Sequence, residues 1–202
     1  MTNITYTADK EKVKSLLERI DRDFFPCLSV QLGDLDKYVK KLVGKGRIVV
    51  HEEEGQIDGL FGYFIRRDDM ICDILWVSKE KRKSVLLKQI VRYVIENEAD
   101  FSGRIKAKTY AGNDTMIGVL EKLGFSVTRK IENDYVSGRT SLLFETDSSK
   151  VRAYFNNVKP DSTPYGISRE GRRFLYCLLY KYFKNIHLLI RSLHKNLSWT
   201  RT

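Results

Sequence analysis

The sequence predicts an α/β (α+β) domain in which two helices lead into an antiparallel meander, after which helices and strands alternate. Three observations predict it. Apolar residues recur at helical spacing in residues 13–24 and 35–42, the period changes to that of strands at Arg47, and helical and extended patterns then alternate to residue 145. At 202 residues, with 42% apolar and 31% charged side chains, the chain suffices for one well-buried core and is too short for two ordinary domains. One domain with an appendage is expected.

The elements follow in order. A short strand near Asn3 to Tyr6 leads to a helix whose face is Val13, Leu16, Leu17, Ile20 and Phe24, closed by Pro26. Leu35, Tyr38, Val39 and Leu42 mark a second helix, with Asp34 placed to cap it and Gly44 and Gly46 placed to end it. RIVVHE, IDGLFGYFIRR and MICDILWV, separated by EEGQ and DD, read as three antiparallel strands joined by short turns. A charged loop, SKEKRKS, precedes a helix with the face Leu86, Leu87, Ile90, Val91, Val94 and Ile95. GRIKAKTY restores a strand, and a further helix follows from Asn113, with Met116, Ile117, Leu120 and Leu123 on one face and Gly124 as its stop. FSVTRKI and SGRTSLLFE close the pattern as two strands.

The net charge of +10 belongs to the C-terminal part. Residues 146–202 hold 11 Lys and Arg against three acids, while residues 1–145 hold 25 against 23, the balance of an ordinary neutral domain. Residues 146–168, with Pro160, Pro164 and Gly166, read as a connector. In residues 169–202, Phe174, Leu178, Tyr182, Ile186, Leu189, Leu193 and Leu197 form one stripe opposite Arg173, Lys181, Lys184, Arg191 and Lys195, a basic amphipathic helix. Docking of that helix onto the domain or into a homodimer is the first expectation, peripheral membrane contact the second, and nucleic acid the last.

MTNITYTADK has neither the basic start nor the apolar stretch of a secretory signal, and no apolar run approaches the roughly 18 residues of a membrane span. Three cysteines without C-x-x-C spacing and three scattered histidines indicate neither a disulfide framework nor a metal site. The expectation is a soluble cytoplasmic protein without metal.

Two stretches carry a family resemblance. VSKEKRKSVLLKQIV resembles the pyrophosphate loop of the GNAT N-acyltransferases, matching at Val77 and Arg82 and departing where Val85 and Leu87 stand in place of glycines. NDTMIGVLEKLGF resembles the family's later segment of an Asn, an amphipathic turn and a terminal E-K-L-G-F, with Leu120 where a tyrosine is usual. The resemblance covers residues 1–145 and implies the GNAT-like fold, a central mixed, mostly antiparallel sheet flanked by helices. It further implies acyl transfer from acetyl-CoA, as cosubstrate, to a primary amine of a small molecule or protein by direct attack.

Physical chemistry supports the loop independently. A helix N-terminus presents unpaired amides and partial positive charge, and a basic loop before it adds cations suited to a pyrophosphate. On the resemblance, Arg82, Lys83, Ser84, Val85, Leu86 and Leu87 form that site, Leu75, Trp76 and Val77 form the strand edge along which the pantetheine arm lies, and Asn113 fixes the arm or caps its helix. An amide near Val77 would polarise the thioester carbonyl. Asp73, in a strand of apolar residues and in phase with Ile71, Leu75 and Val77, is the leading candidate for the general base, with His51 and Glu52 behind it. Tyr110 is the substitute acid for the thiolate in place of Leu120. The rival expectations are a GNAT-like binding protein without turnover, and a membrane- or RNA-associated protein acting through its basic tail.

Overall fold

A computed structural model describes residues 3–82 and 84–157. Its elements are β1 (Ile4–Tyr6), α1 (Lys10–Ile20), α2 (Leu28–Leu32), α3 (Leu35–Lys45), β2 (Arg47–Glu53), β3 (Gln56–Arg66), β4 (Asp69–Val77), α4 (Leu86–Asn97), β5 (Arg104–Tyr110), α5 (Asp114–Lys122), β6 (Ser126–Ile131), β7 (Ser141–Asp147) and α6 (Ser148–Asn157). The strands form a seven-stranded sheet in the order β1-β2-β3-β4-β5-β7-β6, antiparallel at each pairing except β4 with β5. The mixed, mostly antiparallel sheet is as the sequence predicts.

Local chemistry sets the helix ends. The carboxylates of Asp9 and Asp34 accept the amides of Lys12 and Lys37 at 3.0 and 2.9 Å, satisfying donors that the first turns of α1 and α3 leave open. Gly124 ends α5 at φ +85°, a conformation that costs a residue with a side chain about 1–2 kcal/mol.

Each face of the sheet carries its own core. Val13, Leu16 and Leu17 of α1 and Val39 and Leu42 of α3 meet Ile48, Leu60, Phe64, Ile74 and Trp76 on one face. Leu86, Ile90 and Val94 of α4, Leu120 of α5 and Val151 of α6 meet Val49, Phe61, Tyr63, Val77 and Phe144 on the other. Each such buried aliphatic or aromatic side chain contributes about 1.5–3 kcal/mol relative to exposure.

Two helices were not foreseen. The five residues of α2 are too few for a helical period to show and have no side-chain cap. Helix α6 lies in what the sequence reading takes as connector. Its apolar signal is mainly the i, i+4 pair Val151 and Phe155, both buried, and the compact unit extends through Asn157 rather than ending at residue 145. Arg152 explains its seat: the guanidinium donates to the carbonyls of Ile95, Glu98 and Phe101 at 3.0, 2.7 and 2.6 Å, satisfying carbonyls at the end of α4 and in the turn that follows it. Helix α1 also stops at Ile20, and Phe24, predicted on its face, lies beyond it in extended backbone. The predicted basic helix of residues 169–202, with the docking, homodimer and membrane contacts expected of it, lies outside the described residues.

Candidate active site

Strand β4 builds the site through an irregularity. Gly62 of β3 pairs with Ile74 and Tyr63 pairs with Cys72, so Asp73 is an extra residue, a β-bulge. Gly62 admits the close approach this requires, since a Cβ there would lie 2.8 Å from Ile74 Cγ2 and 3.1 Å from Leu42 Cδ2. The bulge reverses the alternation of the strand. Cys72 packs on the α4 face together with Leu75 and Val77, whereas Ile71 packs on the α1–α3 face together with Ile74 and Trp76. The predicted phase of Asp73 with both Ile71 and Leu75 is therefore corrected: a strict period of two cannot cross the extra residue. Asp73 is exposed and accepts a 2.7 Å hydrogen bond from the Tyr38 hydroxyl of α3. Burial first, then the Asp73 charge and this bond, push Tyr38 above the ordinary phenol value, so it stays a donor.

The same strand parts from β5. Their parallel pairing runs from Asp69 with Arg104 to Cys72 with Ala107, although β4 continues to Val77 and β5 to Tyr110. The Ser78 amide donates to Asp58 on the β3 side at 2.8 Å. By alternation the Trp76 amide also faces β3, while those of Leu75 and Val77 face the opening between β4 and β5. Arg82 reaches back to this edge, its Nε donating to the Val77 carbonyl at 3.1 Å and its Nη2 lying 3.4 Å from Asp23 Oδ2. Asp23 also accepts the Trp76 indole N–H at 2.9 Å and pairs with Lys79 at 3.3 Å. The Trp76 bond, with Lys79 and Arg82 beside it, holds the Asp23 carboxyl below the ordinary carboxylate range.

A cavity of about 590 Å³ fills the opening. Asp73, Leu75, Trp76, Val77, Arg82, Leu87, Tyr110 and Asn113 all line it, so predicted base, strand edge, loop arginine and helix-capping residue come together. Asn113 does cap α5, its Oδ1 accepting the Met116 amide at 3.2 Å, and its Nδ2 reaches Thr109 Oγ1 at 3.3 Å. The exposed Ser84 turns onto its own backbone, donating to the Lys81 carbonyl at 2.6 Å and accepting the Leu86 amide at 3.1 Å. That leaves Leu86 without a free amide, and its side chain is buried in the core. Val85 is the N-cap of α4 and makes no side-chain cap bond. Lys83 lies outside the described residues.

His51 and Glu52 are not among the cavity's lining. His51 is buried and pairs through Nδ1 with Asp58, and Glu52 pairs with Lys12. At the cavity wall, burial pushes the Cys72 thiol up to about 12, with the neighbouring Asp73 charge adding to the shift, which favours the neutral thiol.

Several lining residues escaped the sequence reading. Phe25 and Tyr135 are exposed aromatic residues from the α1–α2 and β6–β7 loops, and Arg139, only 5% exposed, ties the two loops together. Its Nε donates to the Phe25 carbonyl at 2.9 Å, and its Nη1 bonds Ser141 Oγ at 2.5 Å and lies 3.3 Å from Asp134 Oδ2. Burial raises the Asp134 carboxyl, but the Ser141 bond and Lys108, with Arg139 adding, outweigh it and hold the group below the ordinary range. Tyr38 and Asp23 were also missed as site residues. Tyr38 reads from sequence as a core position on its helix, and neither residue has a local motif. The only signal for the loop residues is N-D-Y-x-S-G-R, a turn that carries a tyrosine and an arginine.

Solved structures now decide the architecture. A GNAT-family protein from Desulfovibrio desulfuricans superposes with a TM-score of 0.56 at 14% identity, covering 72% of this chain and 99% of that one. The fold is that of the GNAT acetyltransferases. A ribosomal-protein-alanine N-acetyltransferase from Brucella melitensis shares the GNAT architecture at a TM-score of 0.57 and 18% identity, covering 71% and 98% of the two chains. An aminoglycoside 6'-N-acetyltransferase complexed with coenzyme A does so at 0.56 and 13%, covering 72% and 96%. No family profile and no curated protein matches the sequence. The GNAT likeness is thus one of fold.

Proposed function

We propose that this chain transfers an acetyl group from acetyl-CoA to a primary amine by direct attack. One observation carries the reading: β4 and β5 stop pairing at Cys72 and Ala107, and the amides of Leu75 and Val77 face the opening at a cavity of about 590 Å³. Free amides along a strand edge suit an extended pantetheine arm, which carries amides of its own. Above that edge, α4 offers its first-turn amides to a pyrophosphate, although Ser84 takes that of Leu86. The acetyltransferases that share the fold, one of them bound to coenzyme A, support the same assignment.

The residues divide the chemistry. Acetyl-CoA supplies the activated acyl group. The Val77 amide polarises the thioester carbonyl and stabilises the negative charge that attack puts on its oxygen. Asp73 takes one proton from the bound ammonium, which frees the nitrogen lone pair to form the new C–N bond. Tyr110, or water beside it, carries a proton to the sulfur as the C–S bond breaks, and the second nitrogen proton replaces it. Amide, thiol and one released proton balance the reaction. The reading includes a cytoplasmic location, where acetyl-CoA is available.

Calorimetric titration of the full chain with acetyl-CoA and with CoA tests this. Saturable binding of both is expected, weakened about tenfold by Arg82→Ala, the loss of a charge-assisted contact. Absence of binding at millimolar ligand sinks the proposal.

A further inference from the structure

The end of the cavity beyond Asp73 has a charge pattern that narrows the acceptor, and this inference rests on the acetyl-transfer reading. Among the described residues, two carboxylates line the cavity, Asp23 and Asp73. Asp23 is already engaged by Trp76, Lys79 and Arg82. Asp73 receives only the Tyr38 hydroxyl, and no cation among the described residues pairs with it. The cations at the same end are engaged as well. Lys108 lies 3.0 Å from Asp134 and 4.1 Å from the centre of the Tyr135 ring, and Arg139 is held by Asp134, Ser141 and the Phe25 carbonyl. Among the described residues at this end, one carboxylate is left for a ligand and each cation already has a partner.

Ring faces make up the rest of the wall. Phe25 and Tyr110 stand with centroids 5.2 Å apart and planes tilted by 57°, and Phe25 is 59% exposed. Tyr135 faces the same end, 41% exposed, at φ +68°, a backbone conformation that a bulky residue adopts only where its surroundings hold it. Arg139 supplies that hold, its guanidinium 4.9 Å from the Tyr135 ring and 5.6 Å from that of Tyr110. Exposed rings fixed over a cavity are costly to leave bare and suit an apolar body.

From this juxtaposition we infer that the acceptor is a small primary monoamine carrying an aromatic body: its ammonium sits on Asp73 and its ring between Phe25, Tyr110 and Tyr135. A polycationic acceptor would find one carboxylate where it needs several. An amino acid would bring a carboxylate that no unpaired cation among the described residues at this end would meet. Arg139 pins the two loops to each other, so the rings stand as a fixed wall rather than as loops that must order around the ligand.

The test is steady-state acetyl transfer by the full chain to phenethylamine, butylamine, phenylalanine, spermidine and a short peptide with a free α-amine. Phenethylamine is expected to exceed each of the others in kcat/KM by about tenfold or more, the scale of one aromatic contact. Phe25→Leu and Tyr135→Leu, both at exposed positions, are each expected to lower kcat/KM for phenethylamine by about tenfold relative to butylamine. Equal or better use of any of the other four overturns the inference while acetyl transfer stands. Failure to acetylate any amine, together with no acetyl-CoA binding by calorimetry, overturns the reading beneath it and the inference with it.

Discussion

The two ends of the cavity are built in different ways. At the end near α4, the parts are close in sequence: Arg82 reaches Val77, Ser84 reaches Lys81, and the amides of Leu75 and Val77 lie two residues apart. At the other end, Tyr38 reaches Asp73 across 35 positions and Arg139 reaches Phe25 across 114. A site for a constant ligand can be made from one strand, one loop and one helix start. A site for a variable acceptor is assembled from loops that only the completed sheet brings together, so loops can change there without disturbing the first end.

If that division is right, damage at the two ends separates kinetically. The largest effect is expected from Asp73→Asn, which retains an acceptor for the Tyr38 hydroxyl but removes the proposed base. A fall in kcat of about 10²–10⁴-fold is expected, with the acetyl-CoA dissociation constant unchanged by calorimetry. Full activity in this variant would remove Asp73 from the proton path. The counterpart at the first end is Val77→Pro. Its amide faces the opening rather than β3, so the substitution deletes a donor without cutting the sheet. We expect kcat to fall about 10²–10³-fold, as for loss of an oxyanion donor. A loss confined to thermal stability would mean that the amide has no part in the reaction.

The same contrast governs what the sequence revealed. The strand edge, loop and helix cap were legible because each is a local pattern: an apolar strand, a basic run, an Asn before an amphipathic turn. The bulge at Asp73 was not, because an inserted residue breaks the period of two on which phase is read, and only the pairing of Gly62 with Ile74 reveals it. Tyr38 looked like any apolar position of α3, since its ring is buried and only its hydroxyl reaches the site. Phe25, Tyr135 and Arg139 sit in loops, where no periodicity operates. Helix α6 was hidden by a short apolar stripe, and its cap on α4 depends on one arginine whose partners lie 51 to 57 positions away.

Asp23 joins the two regions, because it leaves α1 and fastens both Trp76 of β4 and Arg82 of the loop. Its folded pKa is depressed, so its contribution to stability is present above the ordinary carboxylate value of about 3.9 and is lost as pH falls through the lowered value. Asp23→Asn is therefore expected to cost about 1.5–3 kcal/mol at neutral pH, the range for hydrogen bonds to a charged group. In urea unfolding followed from pH 7 downward, the wild-type and variant stabilities converge below about pH 4. Parallel curves over that range would show that the carboxylate is not what fastens the loop.

The smallest effect sharpens the comparison most, because it concerns one of the two positions where the loop departs from the glycine pattern it resembles. Val85 stands at the N-cap of α4, where an aliphatic side chain has no acceptor to offer and makes no cap bond. Its φ of −79° is open to any residue, so a glycine is not required by backbone conformation. What glycine would change is access, since removal of the side chain clears the approach to the first-turn amides. Val85→Gly is expected to tighten acetyl-CoA binding by about threefold while altering stability by less than about 1 kcal/mol, since a better N-cap residue and glycine's greater backbone entropy offset each other. Calorimetry on this variant distinguishes two ways of building the same anion site. A threefold gain means that Val85 screens amides that are otherwise in place. Unchanged affinity means that the binding is set by Arg82 and the β4 edge, with the helix start contributing little.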